Sequence, residues 1–289
     1  MRIGGILSVY KGDSPIFLGH ALESIIRNQT KMFDECVGVI EGEIGHELEN
    51  VCKNFREIKW LNISESDVFG LPTALNMAVE NINAEVVLKI DTDDLYSSRR
   101  IEWSYSAFKN DDSLDLHGGQ VMEFSNDFKL NYGYRNVPLN QHDIEKYFKY
   151  RNPFNGPSVA FRRDSFLKMG GFPQVGANED YCLWGLYMVN RLCVSNSSET
   201  YTFMRGGRDL VSRRITKAYR LGEFQALKFM KDTGALTNGQ YLSHIFAKQI
   251  SRRLPMVLNS YLYSKLRNNI QHKIPKELED IIQTVQNEK

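Results

Sequence analysis

The sequence predicts an α/β protein built on a doubly wound, mostly parallel sheet, and two observations lead to this fold class. First, short apolar runs in residues 1–114 alternate with segments whose apolar residues recur every three or four positions, as strands alternate with amphipathic helices. Second, the connections between these segments are short, which favours parallel strands with helices on both faces. Residues 115–232 are less regular, and residues 233–289 read as a basic helical tail.

The predicted elements follow one another along the chain. Strands are expected at residues 3–9, 36–40, 58–63, 86–90, 116–124, 155–161 (after a loop) and 199–204. Helices are expected at residues 15–26, 44–55, 74–79, 95–109, 143–151 and 179–189. Ser14 suits the N-cap of the first helix and Pro15 its first position.

Composition narrows the classes of function. Hydrophobic residues make up 42% of the 289 residues and charged residues 25%, as in an ordinary globular protein. The net charge of +1 gives no case for nucleic acid. The four cysteines are widely spaced and the six histidines form no metal-binding pair, which favours reduced cytosolic thiols and argues against zinc. There is no signal peptide, no long uncharged apolar run and no G-x-G-x-x-G after the first strand, so export, a membrane span and a dinucleotide cofactor are not expected.

The most informative motif is D-T-D-D at residues 91–94, directly after the fourth strand. Three carboxylates at a strand end repel one another and need a counter-charge. Mg²⁺ or Mn²⁺ supplies it by taking one or two carboxylates and filling its remaining sites with phosphate oxygens. Open α/β sheets also bind ligands beyond the carboxyl ends of their strands. The alternative interpretation is a polar turn with an Asp capping the next helix.

Polar residues also follow the first two strands. Ser8, Val9 and Tyr10 stand at the carboxyl end of the first strand, and Glu41 stands at the carboxyl end of the second. These ends meet the same sheet edge as the D-T-D-D motif, and an aromatic ring with a carboxylate suits a nucleoside.

Two clusters lie in the second half of the chain. Glu179 and Asp180 open a helix, where they are either a structural cap favoured by the helix dipole or a general base beside a cleft. Arg205 and Arg213 belong to a run of four arginines with glycines. This run suits a mobile loop that clamps a diphosphate, and a solvated basic loop is the competing interpretation.

The tail differs from the rest of the chain in its charge. Residues 233–276 contain no acidic side chain, yet they carry lysines and arginines beside apolar residues at helical spacing. Such a cationic amphipathic segment suits an anionic membrane surface, here through residues 240–273. The alternative is a helical hairpin on the body with solvated lysines and arginines. Pro255 is expected to kink or break the helix.

Taken together, the motifs of residues 1–232 resemble glycosyltransferase family 2, most nearly the bacterial enzymes of amylovoran, capsule and O-antigen type. The motifs are S-V-Y (8–10), A-L-E-S-I-I-x-N-Q-T (21–30), G-L-x-x-A-L-N (70–76), K-I-D-T-D-D (89–94), G-G-F (170–172) and N-E-D-Y-x-L-W (178–184). The resemblance implies a GT-A fold with a nucleotide-sugar-binding half (1–114), an acceptor and catalytic half (115–232), Mg²⁺ or Mn²⁺, and inversion at the anomeric carbon.

The resemblance also implies roles for single residues. Tyr10 and Glu41 are expected to hold the uracil. Asp93 is expected to ligate the metal, with Asp180 as the catalytic base and Glu179 as its partner. The residues expected to bind the nucleotide-sugar are Ser8, Val9, Tyr10, Glu41, Leu75, Asn76, Lys89, Asp91, Thr92, Asp93, Arg205 and Arg213.

Two positions depart from the family's pattern. The chain has Glu41 where the family usually shows Asp. It has Asn155-Gly156-Pro157 where relatives often read N-x-N-H-P. A histidine that would contact donor or acceptor is therefore missing, and specificity near this loop is expected to differ.

The expected reaction transfers glucose, galactose or an N-acetyl form of either from a UDP-sugar to a polyprenyl-diphosphate-linked saccharide, at the cytoplasmic face of the cell membrane. A sugar nucleotidyltransferase is an alternative, but it would normally show a phosphate-gripping glycine loop near its first acids. An aspartyl-phosphate phosphatase would carry D-x-D-x-T early in the chain, whereas here Leu95 follows the acids. A non-catalytic, membrane-associated sugar-binding protein is the third alternative, and Asp180 argues against it.

Overall fold

The computed structural model describes residues 1–64, 70–206, 216–253 and 274–287. Its strands are β1 Ile3–Tyr10, β2 Glu35–Glu41, β3 Lys59–Ile63, β4 Val86–Lys89, β5 Leu95–Tyr96, β6 Leu114–Phe124, β7 Asn131–Arg135, β8 Ala160–Arg162 and β9 Cys193–Arg205. Its helices are α1 Pro15–Leu22, which continues as a π-helical turn Glu23–Arg27, α2 His46–Asn54, α3 Leu71–Glu80, α4 Arg100–Asn110, α5 Gln141–Phe148, α6 Arg163–Lys168, α7 Glu179–Val189, α8 Lys217–Asp232, α9 Asn238–Arg253 and α10 Lys276–Asn287.

One nine-stranded sheet runs through both predicted halves, in the order β3-β2-β1-β4-β8-β6-β9-β5 with β7 on β6. Strands β3, β2, β1 and β4 are parallel, which confirms the α/β prediction for the first half. The second half is mixed, because β8 is antiparallel to β4 and β6 whereas β6 and β9 are parallel. Strand β8 therefore joins the two halves into one sheet.

Helices cover both faces of the parallel strands. The first face packs against α1, α2 and α4, and the second packs against α3, α6 and α7. Strand β1 contributes to both layers, with Leu7 and Val9 on one face and Ile6 on the other. A strand buried on two faces reads as a continuous apolar run, which is why the sequence located it. Ser14 caps α1 as predicted, since its hydroxyl accepts the N–H of Phe17 at 3.4 Å.

The predicted helix over residues 95–109 is wrong at its start. Leu95 and Tyr96 form β5 instead, paired antiparallel with Phe203 and Thr202 of β9, and α4 begins at Arg100. Both side chains of β5 are fully buried. Two apolar residues are too few to show either the alternation of a strand or the three-to-four-residue spacing of a helix, so the sequence does not distinguish the two here. Strand β7 and helix α6 were not predicted for the same reason, since each is only five or six residues long.

Both described helices of the tail pack on the body. Helix α10 buries Leu278, Ile281, Ile282 and Val285 against residues of β5, β6 and β9. Helix α9 packs against α8, and its Tyr241 and Ile245 contact the cluster beneath. For these two helices, the part of the alternative interpretation that packs the tail on the body therefore holds.

The outer side of α9 nevertheless remains apolar and open to solvent. Leu242 is 63% exposed, Phe246 67% and Ile250 45%, and their spacing of four residues aligns them in one stripe. Pro255 and most of the predicted membrane-contacting segment lie outside the described residues. Within the described ranges, no helix combines the length and apolar character needed to cross a membrane.

Candidate active site

A cleft of about 1080 Å³ opens at the carboxyl ends of β1, β2 and β4. Its other walls are the start of α7, the loop before β8, and helices α8 and α9. This volume slightly exceeds the range of about 300–1,000 Å³ that is usual for ligand pockets. Nine of the predicted site residues line it: Ser8, Tyr10, Glu41, Lys89, Asp91, Thr92, Asp93, Glu179 and Asp180. The fold thus brings the two acidic motifs into one cleft.

The turn that carries Asp91 is held rigidly from inside the protein. The hydroxyl of Tyr96 accepts the backbone N–H of Asp91 at 2.7 Å and donates to its carbonyl at 2.8 Å. Arg100 donates to the carbonyl of Lys89 at 2.6 Å, and its guanidinium lies 4.4 Å from the centre of the Tyr96 ring. Because Tyr96 and Arg100 are fully buried, the strand end is preorganised before any ligand binds.

Lys89 connects the two acidic motifs electrostatically. It is nearly buried and forms an ion pair with Asp91. Burial alone would lower the pKa of Lys89, but the charge and the hydrogen bond of Asp91 raise it above its ordinary value. The charges of Glu179 and Asp180 act on Lys89 in the same direction, so one ammonium group serves both sides of the cleft.

The last acid of the D-T-D-D turn faces the protein interior. Asp94 is 2% exposed and accepts the backbone N–H of Arg205 at 3.0 Å. Burial, followed by the charges of Asp93 and Asp91, raises the pKa of Asp94 well above its ordinary value. Asp94 therefore ties the turn to the end of β9, and Asp93 is left on the cleft side.

The ends of β1 and β2 form the side of the cleft predicted to hold the nucleoside. The carboxylate of Glu41 accepts a hydrogen bond from the hydroxyl of Ser8 and one from the N–H of Gly70, the latter at 2.9 Å. Tyr10 is 49% exposed at the rim, and its N–H donates to Asp13 at 3.0 Å. Burial raises the pKa of Asp13 to about 6.

The second acidic motif opens α7 with both carboxylates directed to the cleft. Asp180 Oδ1 accepts the N–H of Tyr181 at 2.6 Å, and Oδ2 accepts from the amide of Asn152 at 3.1 Å. Each oxygen thus has one fixed partner and retains acceptor capacity for another. The carboxylate is oriented by the helix start on one side and by the loop before β8 on the other.

Burial raises the pKa values of both Glu179 and Asp180, and the charge of Lys89 opposes the rise at each of them. Burial and then the charge of Asp180 raise the pKa of Glu179 to about 7. Burial also raises the pKa of Asp180, but the charge of Lys89 and the hydrogen bonds from Tyr181 and Asn152 oppose the rise. The charge of Lys89 and the hydrogen bonds from Tyr181 and Asn152 thus favour the ionised form of Asp180, which is the form that a general base needs.

Three of the predicted nucleotide-binding residues support the cleft from behind. Val9 and Leu75 are core residues of the two apolar layers. Asn76 exchanges two hydrogen bonds with the backbone of Phe172, at 2.8 and 2.9 Å. Its amide joins α3 to the turn after α6, and the motifs at residues 70–76 and 170–172 thereby meet.

Of Arg205 and Arg213, the two arginines predicted to bind the nucleotide-sugar, the structure describes Arg205. Arg205 is buried, with its guanidinium 4.1 Å from the centre of the Phe17 ring and 5.2 Å from that of Phe124. Burial lowers the pKa of Arg205 to about 10. Arg213 lies outside the described residues. The structure therefore places Arg205 next to the cleft wall and not among its lining residues.

Curated relatives match most of the chain, although no protein-family model matches it. The UDP-Gal:alpha-D-GlcNAc-diphosphoundecaprenol beta-1,3-galactosyltransferase of Escherichia coli is 28% identical, over 90% of this chain and 94% of that protein. The amylovoran biosynthesis glycosyltransferase AmsE of Erwinia amylovora is 29% identical, over 91% of this chain and 98% of that protein. The chain is a homologue of bacterial glycosyltransferases.

Comparison with solved structures shows that this chain also has the fold of known glycosyltransferases. Staphylococcus aureus TarS in complex with UDP-GlcNAc superposes with a TM-score of 0.63 at 15% identity, covering 99% of this chain and 82% of that chain. The mannosyltransferase PcManGT of Pyrobaculum calidifontis, in complex with GDP-Man and Mn²⁺, gives 0.54 at 18% identity, covering 98% and 73%. The fold class predicted from the sequence is thereby confirmed.

The acids of the glycosyltransferase homologue fit a divalent metal that is held by few protein ligands. Within the described ranges, no group of three or more His, Cys, Asp or Glu side chains is arranged to hold a metal. Asp91 is paired with Lys89 and Asp94 is buried, whereas Asp93 lines the cleft. One or two carboxylates plus phosphate oxygens is the usual ligand set of Mg²⁺.

Sequence reasoning missed two residues that shape the site. Asp13 follows β1 by three residues, and the strand-end argument that found Tyr10 would have found it as well. Asn152 reaches Asp180 from an irregular loop and carried no sequence signal. Gly156, where the chain departs from the family's pattern, lies beside the second acidic motif: a Cβ there would lie 3.0 Å from Asp180 Oδ2.

Proposed function

We propose that this protein is an inverting, metal-dependent hexosyltransferase of family 2. It transfers the sugar of a UDP-hexose to a hydroxyl of a lipid-diphosphate-linked saccharide in surface polysaccharide assembly. The observation that carries the proposal is the meeting of the D-T-D-D turn and the Glu179–Asp180 pair in one cleft, with Lys89 between them. The first acidic motif suits a leaving diphosphate and the second suits the activation of an acceptor.

The donor occupies the end of the cleft formed by β1, β2 and β4. The Tyr10 ring stacks on the uracil, Glu41 accepts from its edge, and Asp91 faces the ribose. A metal on Asp93 would supply positive charge to the departing UDP. The rigid support of the turn by Tyr96 keeps these groups in place during transfer, which is how preorganised sites stabilise developing charge.

Asp180 acts as the base. It takes the proton of the acceptor hydroxyl as that oxygen attacks the anomeric carbon, opposite the leaving diphosphate. Lys89 and Asn152 hold its carboxylate ionised and oriented. A single displacement of this kind inverts the anomeric centre, so a UDP-α-hexose yields a β-linked product.

The names of the relatives support the choice of substrates. A relative that covers most of the chain is named as transferring galactose to a GlcNAc-diphospholipid, and a structural neighbour was solved with UDP-GlcNAc. Galactose, glucose and their N-acetyl forms are therefore the first donors to test. The acceptor is proposed to be presented at the cytoplasmic face of the membrane.

We place the membrane contact on α9 and the basic segment at residues 240–273. The exposed stripe of Leu242, Phe246 and Ile250, with lysines and arginines nearby and no acids in residues 233–276, suits an anionic lipid surface. Co-sedimentation of the Leu242→Ser/Phe246→Ser variant with liposomes containing anionic lipid should fall well below that of the wild type. Equal sedimentation of the two proteins would show that Leu242 and Phe246 do not contribute to membrane binding.

A donor panel tests the reaction. UDP- and GDP-sugars are incubated with Mn²⁺ and a synthetic sugar-diphosphate-lipid acceptor, and products are read by mass spectrometry. UDP release with glycoside formation is expected, whereas pyrophosphate release would identify a nucleotidyltransferase. If no donor gives a product, a non-catalytic sugar-binding protein is the interpretation that remains.

Two variants test the roles of the acids. Asp180→Asn should abolish transfer and leave calorimetric UDP-sugar binding largely intact, since it removes a transition-state contact. Asp93→Ala should lose the Mn²⁺-dependent part of UDP affinity. Near-native rates in the first variant, or unchanged metal dependence in the second, would show that the role is misassigned.

A further inference from the structure

We propose that Tyr150 and Arg151 form the subsite for the acceptor's sugar diphosphate, with Tyr150 against the sugar ring and Arg151 on the phosphates. This inference rests on the proposed function and extends it to the acceptor. Both residues line the cleft. Neither carries a role in the donor half, which is built from the ends of β1, β2 and β4.

The loop that carries the two residues is anchored on both sides. His244 of α9 donates from Nε2 to the carbonyl of Lys149 at 3.0 Å. Burial lowers the pKa of His244, so the ring is neutral and its proton is directed to that carbonyl. At the other end, Asn152 donates to Asp180 at 3.1 Å and accepts the N–H of Phe154 at 3.1 Å. Tyr150 and Arg151 are thus presented to the cleft from a fixed backbone.

The two side chains are available to a ligand. Tyr150 is 71% exposed, so its ring is open to a ligand in the cleft. In the part of the chain that the structure describes, no carboxylate pairs with Arg151, whose guanidinium lies 5.9 Å from the centre of the Tyr147 ring. Two other cations of the cleft differ, because Arg135 has Glu123 at 3.7 Å and Lys248 is paired with Glu223.

The loop places Tyr150 and Arg151 next to the proposed base. Asn152 touches the proposed base, and Arg151 and Tyr150 precede it directly. The nucleophilic hydroxyl and the anomeric phosphate are attached to the same pyranose ring. The protein groups that contact them must therefore lie close together. A guanidinium binds phosphate oxygens through two parallel hydrogen bonds, and an aromatic ring covers the apolar face of a sugar. The loop therefore supplies both contacts within two residues of Asn152, whose amide donates to Asp180.

Two acceptors that differ only in the diphosphate separate this subsite from a general effect on the cleft. One probe is α-D-GlcNAc diphosphate with a short alkyl chain, and the other is the alkyl glycoside without phosphates. Arg151→Ala should raise KM for the first probe by about ten- to a hundred-fold, the loss expected for a charge-assisted contact. It should leave KM for the UDP-sugar and for the glycoside unchanged. Tyr150→Ala should raise KM for both acceptors.

Lys149→Ala is the matched control, because Lys149 is exposed in the same loop and does not line the cleft. It should behave as the wild type with both probes. An equal loss with both acceptors in Arg151→Ala, or a raised KM for the donor, would overturn the diphosphate assignment.

Calorimetric titration keeps this inference separate from the proposed reaction. The wild type should bind the diphosphate probe more tightly than Arg151→Ala even in the absence of donor. Weaker binding by the variant would support the subsite even if no transfer is detected. The absence of transfer would count against the proposed reaction and not against the subsite. Equal binding by the two proteins, or no binding by the wild type, would overturn the subsite.

Discussion

Replacing Glu179 by Gln should stabilise the protein, and the gain should grow with pH. Gln is close in shape to the protonated form of Glu but carries no titrating group. Burial and the neighbouring charge of Asp180 raise the pKa of Glu179 from 4.5 to about 7. The folded state therefore binds this proton more tightly than the unfolded chain does.

The sign and size of the effect follow from linkage. Because the folded-state pKa is the higher one, stability is lost as the pH rises from 4.5 and the loss is complete above about 7. The full loss corresponds to about 3 kcal/mol. With the titration of both states included, the advantage of Glu179→Gln should be about 1 kcal/mol at pH 5 and about 3 kcal/mol at pH 8.

Urea unfolding at pH 5 and pH 8 measures the two differences in the free energy of unfolding. Glu80→Gln is the matched control, since Glu80 is exposed at the end of α3. The control should change the free energy of unfolding equally at both pH values. Mg²⁺ and nucleotide are left out, so that only groups of the chain titrate.

A pH-independent difference for Glu179→Gln would refute this reasoning. It would mean that Glu179 ionises in the folded protein as it does in water. A destabilised variant at pH 8 would show that the ionised carboxylate makes a contact worth more than its burial costs, and the proton would then have to be placed on Asp180 instead.

Three further outcomes are expected. Gly156→Ala places a Cβ 3.0 Å from Asp180 Oδ2; we expect kcat to fall ten-fold or more with UDP affinity unchanged, and an unchanged kcat would contradict this. Asn152→Ala removes a hydrogen bond that favours ionised Asp180, so the acid limb of the kcat–pH profile should move to higher pH. Leu278→Ala in α10 should lower the free energy of unfolding by about 2–5 kcal/mol, whereas the exposed Gln283→Ala should have little effect in the same urea titration.

The parallel half of the fold was predictable because its signals are local. Strand β1 is buried on both faces and reads as an apolar run, and Ser14-Pro15 marks a helix start within two residues. The acids of the D-T-D-D turn were found by the same local argument, since they follow β4 directly. The short strand β5 escaped prediction, because two apolar residues gain their strand conformation only from pairing with β9.

The candidate base illustrates the remaining gap. Glu179 and Asp180 were identified as a pair at a helix start, with a structural cap as the competing interpretation. Both acids experience the charge of Lys89 on β4, and Asp180 also receives a side-chain hydrogen bond from Asn152 in a distant loop. No spacing in the sequence predicts such contacts, since they depend on how β4, β8 and α7 converge.

Local chemistry therefore established which groups this protein brings to its cleft: carboxylates after β4, an aromatic and an acid after β1 and β2, and two acids at the start of α7. The convergence of these groups, the burial that raises the pKa of Glu179, and the exposure of Tyr150 and Arg151 were set by packing between segments far apart in the chain. The physical reason is the separation along the chain over which each kind of interaction acts. Hydrogen-bonded elements are encoded within a few residues, whereas desolvation and charge coupling arise between elements that the fold alone brings together.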